Sequence, residues 1–574
     1  IDVFLPAGSV LRAPLAGRVH SVVDNALPKD YGPTVILEHQ AGADGPRFWT
    51  LYGHLSRETL ALLRPGMAVQ AGQPIGWIGG PAVNGGWAPH VHFQIICDLL
   101  DLHGDFPGAG QPSLWPLWRQ ICPDPNLILR LAPESYRVDP TPPALLLERR
   151  ARLLAPSLSI SYAHKLKIVR GRGAYLYDHT GRAYVDGVNN ICHVGHSHPQ
   201  VVEALARQAA VLNTNTRYLH DTILDYAERL ARTFAPPLSV VYLVCSGSEA
   251  NELALRIART VTGRRHTIAV DWGYHGNTNA CIEVSAYKFN RKGGRGKPDH
   301  IELATLPDPY RGEFKGYGAE AGRAYAQSVA EKIELIRGAT GQGPAAFIAE
   351  AISGCGGQVV FPDAYLKTAA ERVRAAGGLV IVDEVQTGFG RVGTQMWAHG
   401  LQDVVPDIVT LGKPIGNGHP MAAVVTTPEI ARAFANGMEF FSSFGGNPLA
   451  CAVGMAVLDV LENEGLQERA RLTGDYLKAG LNELATRFPL IGDVRGHGLF
   501  LGVDLVRDRI TREHATREAS AVVNHMREAG VLLSTDGPFD NVLKIKPPLA
   551  FGKPEADMLL AALADALQSV GECP

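Results

Sequence analysis

The sequence lacks several features that restrict function early. Its eight cysteines are scattered over 574 residues without one CxxC pair, which argues against a disulfide scaffold or a thiolate zinc site. No apolar stretch approaches the roughly 20 residues of a membrane-spanning helix. The formal net charge is −3, so neither an acidic tail nor a basic surface for nucleic acid is indicated. We therefore expect a globular, cytoplasmic protein that binds neither membranes nor nucleic acids.

Length and patterning predict more than one domain. Residues 1–110 carry short apolar runs separated by Gly, Pro and Asn, which indicates an all-β module. Residues 111–150 resemble a linker. Residues 151–574 alternate between strand and helix patterns, as is typical of an α/β domain whose mostly parallel sheet is covered by helices.

The second module itself divides into two parts. We assign 200–460 to a large part, and 151–199 with 461–574 to a small α+β part. The chain opens at Ile1 inside an apparent strand, without a signal peptide. We therefore expect an upstream segment of the first module to be missing.

A strand, a turn of small residues and a long helix follow one another in VYLVCSGSEANELALRIA. Free amide groups at the start of such a helix can bind an anion, and Gly247 allows the anion to approach the backbone. Ser248 adds a hydroxyl group. The competing interpretation is an ordinary capping box formed by a serine and the following glutamate.

The stretch LVIVDEVQTGFGRVG predicts a buried strand that ends at Asp383. Its GxGxxG does not open a helix directly after the strand, so we reject a dinucleotide site. A carboxylate at the C-terminal end of a parallel strand lies where α/β proteins bind ligands, and it could hold a protonated pyridine nitrogen. A buried aspartate satisfied by protein groups is the alternative.

The stretch DIVTLG predicts a further strand, and Lys413 follows it directly. An amine at one strand end, with a carboxylate and an anion site at two others, is the combination that a Schiff-base cofactor requires. Each motif alone is weak, but the three together in this order are specific.

Motifs along 150–574, including GHSHP, SGSEANE, YHGNT, VDEVQTGFGR, GKPIGNGHP and FGGNP, resemble the class III aminotransferases, which are pyridoxal phosphate enzymes of fold type I. The resemblance implies that Lys413 binds pyridoxal phosphate covalently and that Asp383 pairs with its pyridine nitrogen. The other contacts that it implies are Val385 and Tyr274 on the two ring faces, His275 and Gln386 beside the ring, and Gly247 and Ser248 at the phosphate.

The same resemblance implies a homodimer with active sites at the interface. Ser443, in SSFGGNP, stands where the family usually has threonine. By the resemblance it bonds the cofactor phosphate of the neighbouring subunit.

Two residues depart from the ornithine and GABA aminotransferases, which these motifs also resemble. Those enzymes hold a substrate carboxylate with an arginine, and a glutamate pairs with that arginine when it is not in use. Lys544 in NVLKIKPPL takes the arginine position, and Cys355 in EAISGCGG takes the glutamate position. Lysine cannot replace the two-pronged geometry of arginine, so the features that hold a keto acid are weakened.

The stretches EAISGCGGQ, NTNTRYLHD, AYKF and NVLKIKPP are similar to the ethanolamine-phosphate and phosphohydroxylysine phospholyases. Those enzymes eliminate phosphate from an amino-alcohol phosphate and release ammonia and an aldehyde. Such a substrate requires nearby cations. The candidates are Lys544, Lys546, Arg217 and Lys288, and Cys355 is the further candidate in the substrate site.

Three functions therefore remain open at this point. The favoured one is a phospholyase acting on a small amino-alcohol phosphate such as phosphoethanolamine. The second is an ω-transaminase that moves an amino group from a primary amine to a keto acid such as pyruvate. The third is a non-enzymatic scaffolding protein with a degenerate cofactor fold.

In the first module, APHVHFQI places His90 and His92 two residues apart on a predicted strand, so both lie on one face. With LYGHLS and the hairpin RPGMAVQAGQPIGWIGG, the module resembles the M23 or LytM metallopeptidases. The resemblance implies Asp2 and His92 as zinc ligands, with His90 and His54 assisting the bound water. The third ligand of that family would precede Ile1, so an inactive scaffolding module is an equal expectation.

Overall fold

The computed structural model places most of the chain in regular structure. The residues that it describes are 1–42, 45–109, 114–130 and 141–571. The predicted linker falls partly at 111–113 and 131–140, which lie outside the described residues.

The chain divides into two compact units. One comprises Ile1–Leu154 with Tyr177–Ala183, and the other comprises Ala155–Leu176 with Tyr184–Pro574. The domain limits expected from the sequence stay a prediction.

The smaller unit is mostly antiparallel β-structure, as predicted. Its strands are β1 (Asp2–Phe4), β2 (Val10–Arg12), β3 (Gly17–Asn25), β4 (Gly32–Gln40), β5 (Arg47–Gly53), β6 (Ala68–Val69), β7 (Pro74–Trp77) and β8 (His90–Ile96). Its helices are α1 (Thr59–Leu62), α2 (Trp115–Ile121), α3 (Asn126–Leu129) and α4 (Pro143–Leu153). Six strands form a sheet in the order β1-β8-β5-β4-β3-β6, and β2 pairs with β7. The central strand β4 is buried along most of its length, which explains its continuous apolar run PTVIL.

The larger unit alternates strands and helices. Its strands are β9 (Ile168–Arg172), β10 (Tyr175–Asp178), β11 (Ala183–Asp186), β12 (Val240–Val244), β13 (Thr267–Val270), β14 (Ile301–Ala304), β15 (Ala346–Glu350), β16 (Leu379–Asp383), β17 (Ile408–Leu411), β18 (Ala422–Thr426), β19 (Ile491–His497), β20 (Phe500–Leu505), β21 (Val531–Leu532), β22 (Ser534–Asp536) and β23 (Val542–Ile545). Its helices are α5 (Pro199–Ala209), α6 (Asp221–Ala231), α7 (Gly247–Thr262), α8 (Asn279–Glu283), α9 (Ala286–Phe289), α10 (Ala319–Thr340), α11 (Tyr365–Ala375), α12 (Pro428–Phe434), α13 (Pro448–Asn463), α14 (Leu466–Arg487), α15 (Thr516–Glu528) and α16 (Lys553–Gly571). Within the described residues, no helix combines the length and the apolar character that crossing a membrane requires.

A seven-stranded sheet forms the centre of this unit, in the order β12-β18-β17-β16-β15-β13-β14. Only β18 runs antiparallel to its neighbours, so the expected mostly parallel sheet is confirmed. Strands β15 and β17 are buried throughout, and β16 is buried after its first residue, Leu379. Buried parallel strands read as continuous apolar runs because helices cover both faces.

The register of these strands sets one edge of the sheet. Glu350 is paired with Asp383, and Asp383 with Thr410, across β15, β16 and β17. Because parallel strands end at the same edge, three polar side chains meet there. A second, antiparallel sheet, β19-β20-β23-β22, carries the cations discussed below.

Candidate active site

The Asp383 carboxylate occupies the centre of the polar edge. It is almost fully buried, at 4% exposure. Its Oδ2 accepts hydrogen bonds from His275 Nδ1 and Asn251 Nδ2, both at 2.8 Å. Its Oδ1 accepts one from the Val385 amide at 3.0 Å. A carboxylate only accepts, so His275 carries its proton on Nδ1, and the aspartate is held in a single orientation.

Asn251 connects this carboxylate to the helix that packs under the sheet edge. It lies on the buried face of α7 and also donates to the His275 carbonyl at 2.8 Å. Its own Oδ1 accepts from Thr410 Oγ1 at 2.7 Å. Each polar atom of the Asn251 side chain is therefore used, which fixes α7 against β16 and β17.

The start of α7 lies at the cavity, where the sequence predicts an anion site. The capping residue is Ser246, whose side chain accepts from the Glu249 amide at 3.2 Å. The capping interpretation therefore applies to Ser246, and it leaves Ser248 to face the cavity, where its Oγ accepts from the Asn277 amide at 3.0 Å. With the Glu249 amide used by the cap, the amides of Gly247 and Ser248 are those that the helix start offers to an anion.

Glycine is required at two points around this site. A Cβ on Gly247 would lie 3.0 Å from both methyl groups of Val385. A Cβ on Gly276, whose φ is +136°, would lie 2.7 Å from Ser248 Oγ. The backbone therefore approaches the cavity more closely than any side chain would permit.

Lys413 begins a short 3₁₀ helix, Lys413–Gly416, immediately after β17. Its φ is +28°, in the left-handed region that residues other than glycine rarely adopt. Such strain costs energy and is typical of functional sites that the surrounding structure holds in place. The half-buried lysine lines the cavity.

The cavity brings together most of the residues predicted from the sequence. It is lined by Gly247, Ser248, Asn251, Tyr274, His275, Gly276, Glu350, Asp383, Val385, Gln386 and Lys413. Ser443 is exposed and is not among the lining residues. Asn251, Gly276 and Glu350 were missed, although SEANE, YHGNT and EAISG contain all three. The individual roles that the resemblance implies stay predictions.

Glu350 has the most perturbed carboxyl group of the cavity. Burial, reinforced by the nearby Asp383 carboxylate, raises the pKa of Glu350 to about 7, against the opposing effects of His275, Lys546 and the Gly354 amide. That amide donates to Glu350 Oε2 at 2.7 Å. A group with this pKa can exist in either protonation state at neutral pH.

Two lysines lie close together, Lys544 on β23 and Lys546 one residue beyond its end. Lys546 Nζ is 3.0 Å from Gln386 Oε1 and 3.3 Å from Asp536 Oδ2. Lys544 Nζ is 3.0 Å from Asp536 Oδ1. Residues two apart in an extended chain face the same side of the sheet, so both amines lie on that side, with Asp536 between them.

Cys355 is close to the same charges but adds none. Burial, with the carboxylates of Asp536 and Glu350, raises the pKa of the Cys355 thiol to about 12. It is therefore a neutral thiol at physiological pH. An acid at this position would cancel one lysine charge, and the cysteine does not.

The other two predicted cations, like Lys544, Lys546 and Cys355, are not among the residues that line the cavity. Lys288 is exposed, with its ammonium 5.5 Å from the centre of the Tyr274 ring. Arg217 is exposed, 3.3 Å from the Glu439 carboxylate and stacked at 4.3 Å over Phe441. Lys288 thus borders the cavity through Tyr274, whereas Arg217 is paired with an acidic side chain.

The candidate zinc residues of the smaller unit bond to each other and to protein groups. His92 Nδ1 is 2.7 Å from Asp2 Oδ1, and His92 Nε2 is 3.1 Å from Gln94 Oε1. The centres of the His54 and His90 rings are 4.2 Å apart, and the assisting role implied for them stays a prediction. Among the described residues, no group of three or more His, Cys, Asp or Glu side chains could hold a metal ion. Catalytic zinc normally has three protein ligands, so the zinc expectation gains no support here.

Comparison with known families agrees with both units. Residues 159–567 match the family model described as aminotransferase class-III, and residues 1–100 match that described as peptidase family M23. The first match covers well over half of the chain. The chain therefore belongs to the class-III aminotransferase family, and it is an enzyme of fold type I.

Known relatives carry two kinds of name. A Drosophila melanogaster protein, alanine–glyoxylate aminotransferase 2-like, is 50% identical over 410 residues, covering 71% of this chain and 83% of its own. The Caenorhabditis elegans ethanolamine-phosphate phospho-lyase homolog 1 is 41% identical over 421 residues, covering 71% and 90%. The solved structure of an Arthrobacter phospholyase in complex with phosphoethanolamine superposes with a TM-score of 0.71 at 40% identity, covering 74% and 99%.

Pyridoxal phosphate, the cofactor of this family, fits the residues present. The fixed Asp383 carboxylate can hold a protonated pyridine nitrogen, and Lys413 can bond to the aldehyde carbon. The α7 amides, with the close approach that Gly247 permits, suit the cofactor phosphate. His275 Nε2, which is buried and unpaired in the described structure, is a further polar atom at this site.

Replacing Lys413 by alanine should abolish covalent attachment of the cofactor. Without the amine, the protein loses the visible absorbance of lysine-bound pyridoxal phosphate, and turnover falls by about a thousandfold because the proton acceptor is also lost. Borohydride reduction followed by mass spectrometry measures the attachment. Exposed Lys367, on α11, supplies the matched Lys→Ala control. Retention of the reduced adduct in Lys413→Ala would show that another residue binds the cofactor.

Replacing Glu350 by glutamine should change how stability depends on pH. A raised pKa means that the folded state binds the proton more tightly than the unfolded chain. The wild type therefore loses up to about 3 kcal/mol of unfolding free energy. The loss occurs as the pH rises from the pKa of glutamate in the unfolded chain to the pKa of about 7 in the folded protein. Glu350→Gln avoids this loss, so the stability of the variant relative to wild type should increase between pH 5 and pH 8.

The measurement is the melting temperature of the cofactor-free protein across that pH range. The relevant melting transition is the one that shifts when pyridoxal phosphate is added in a separate run. Glu334→Gln, on the exposed face of α10, is the matched control. A constant difference between Glu350→Gln and wild type across the range contradicts the raised pKa.

Proposed function

We propose that this enzyme eliminates phosphate from an amino-alcohol phosphate such as phosphoethanolamine. Phosphoethanolamine and water would give acetaldehyde, ammonia and inorganic phosphate. The observation that carries the proposal is the pair of lysines, Lys544 and Lys546, that share one carboxylate beside a neutral cysteine.

The charges of this cluster suit a phosphate ester. With Glu350 protonated, two ammonium groups and the Asp536 carboxylate leave an excess of one positive charge, because Cys355 is a neutral thiol. A phosphate monoester carries about −1.5 to −2 charges at neutral pH. Lysine binds phosphate well as a compact point charge, whereas a carboxylate is recognised best by the two-pronged arginine.

The cavity residues have definite tasks in this reaction. When bound, pyridoxal phosphate supplies an electron sink for the carbon next to the substrate nitrogen. Lys413 Nζ accepts the proton from that carbon, and its strained backbone aims the amine into the cavity. Asp383, fixed by three donors, holds the proton on the pyridine nitrogen.

The lysine cluster assists departure of the leaving group. Loss of the proton lets the phosphate leave from the neighbouring carbon with its bonding electrons. We expect Lys544 and Lys288 to neutralise the charge that develops on the departing oxygens. The product released is an enamine, which tautomerises to an imine, and water hydrolyses the imine to the aldehyde and ammonia, so no keto acid is needed.

Names of relatives support both this proposal and its alternative. The Arthrobacter phospholyase was solved with phosphoethanolamine, and the nematode relative is named as a phospho-lyase homologue. The insect relative, at 50% identity, is named as an aminotransferase. An ω-transaminase acting with a keto acid such as pyruvate is therefore the second candidate, since Lys413 serves both reactions.

We further propose that the enzyme acts in the cytoplasm as a homodimer. Ser443 is exposed and does not line the cavity of its own protomer, as expected for a residue that bonds the partner's cofactor phosphate. Its neighbours Phe441 and Phe444 expose 42% and 72% of their surface, which apolar side chains at a subunit interface would bury.

The deciding experiment supplies phosphoethanolamine to purified enzyme with pyridoxal phosphate and no keto acid. We expect equimolar inorganic phosphate, ammonia and acetaldehyde. Ethanolamine is the matched control substrate, because it has the amine but a much poorer leaving group. Lys544→Met should raise the KM for phosphoethanolamine roughly tenfold or more by removing a charge-assisted contact. Alanine formed from pyruvate, with no phosphate released, would favour the transaminase.

A further inference from the structure

Asp536 is the shared counter-ion of the lysine cluster, and it lies at the end of β22. Its Oδ1 accepts from Lys544 at 3.0 Å. Its Oδ2 accepts from Lys546 at 3.3 Å and from Gln358 Nε2 at 2.8 Å. Burial alone would raise the pKa of Asp536, but the ammonium groups of Lys546 and Lys544 lower it by more. The pKa of Asp536 therefore lies below its usual value. The group is therefore an ionised carboxylate with three donors.

The two lysines differ in their freedom to leave this carboxylate. Lys546 is buried, at 3% side-chain exposure, and a second acceptor, Gln386 Oε1, holds it at 3.0 Å. Lys544 keeps 24% of its side chain exposed. Within the described residues, Asp536 is the acceptor recorded for its ammonium. Lys544 can therefore turn towards a ligand, whereas Lys546 is fixed.

Asp536 cannot follow Lys544, because it is bonded to the loop that carries Cys355. Gln358, in that loop, is fully buried with φ +53°, and its Nε2 donates to Asp536 Oδ2 and to the Gly354 carbonyl, both at 2.8 Å. The Gly537 amide donates to the Cys355 carbonyl at 3.0 Å. These bonds anchor the side chain of Asp536 and the residue that follows it to the loop that carries Cys355.

We propose that Asp536 is a specificity-determining residue, an internal competitor that holds Lys544 until the phosphate of the substrate displaces it. This proposal rests on the proposed function and refines it. In the free enzyme, Lys544 and Lys546 share the carboxylate. On binding, the substrate phosphate takes Lys544, and Asp536 stays paired with Lys546 and Gln358.

The arrangement explains selection by charge. A ligand with a strongly anionic group gains more from Lys544 than the ammonium loses by leaving Asp536. A neutral amine offers Lys544 no anion in place of Asp536. A singly charged carboxylate offers an anion of the same charge as Asp536, so the exchange gains nothing. The fixed pair of Lys546 and Asp536 prevents an unpaired charge from being buried in either state.

The test measures binding of inorganic phosphate to the holoenzyme by calorimetry, so that the cofactor's own phosphate already fills the α7 site. Asp536→Asn keeps the shape and removes the competing charge. We expect it to bind phosphate roughly tenfold more tightly than wild type. Asp540→Asn, a similar change in a half-exposed aspartate paired with Arg291, should leave the affinity unchanged.

Lys544→Met supplies a second arm that does not depend on the folding of Asp536→Asn. We expect it to lose phosphate binding at least tenfold, and to remove the gain when combined with Asp536→Asn. Unchanged or weaker phosphate binding by a folded Asp536→Asn, or wild-type binding by Lys544→Met, overturns the proposal. Failure of the proposed function is distinguishable, because it would abolish phosphoethanolamine turnover while these binding differences persist.

Discussion

The Asp383 carboxylate is buried at the end of a parallel strand with three donors directed at it, and the site is arranged around that charge. Its position follows from the register that pairs Glu350 with Asp383 and Asp383 with Thr410. Asn251 and His275 bind the carboxylate and thereby connect α7 and the segment around Tyr274 to the sheet. A shift of one residue in β16 would turn the carboxylate to the opposite face.

A second electrostatic constraint is the ion cluster around Asp536. The cluster around Asp536 keeps two ammonium groups beside the cavity with a single anionic partner. Buried charges are tolerated only when they are paired and hydrogen-bonded, and Gln358, Gln386 and Asp536 supply those bonds. In the proposed function, the surplus positive charge is the physical reason to expect a preference for a phosphate over a carboxylate.

Much of the fold and the cofactor site could be predicted because short motifs report local geometry. The strands that end at Asp383 and just before Lys413 could be predicted from their apolar runs. The start of α7 could be predicted from the small residues that precede a helical pattern. Glu350 and Asn251 were missed because their importance comes from contacts with Asp383 and Thr410, on strands distant in sequence, which no local pattern encodes. Asp536 was missed because STDGPFDN is typical of a turn, and its contact with Gln358 spans 178 residues.

In the smaller unit, the fold could be predicted from the sequence, but the expected metal site found no support. Its β-structure was predictable from alternating apolar runs, and its match to peptidase family M23 agrees with that reading. The metal site inferred from that family did not follow, because His92 bonds to Asp2 and Gln94 and the described residues supply no third ligand. Fold and chemistry are separable properties.

The central claim is that Lys544 and Cys355 direct the common chemistry of Lys413 towards elimination. The most direct measurement is the ratio of inorganic phosphate to alanine formed by the double variant Lys544→Arg/Cys355→Glu, given phosphoethanolamine, pyruvate and a primary amine together. Restoring an arginine and a glutamate should lower this ratio at least about tenfold relative to wild type. An unchanged ratio in a folded, cofactor-loaded double variant would contradict the account.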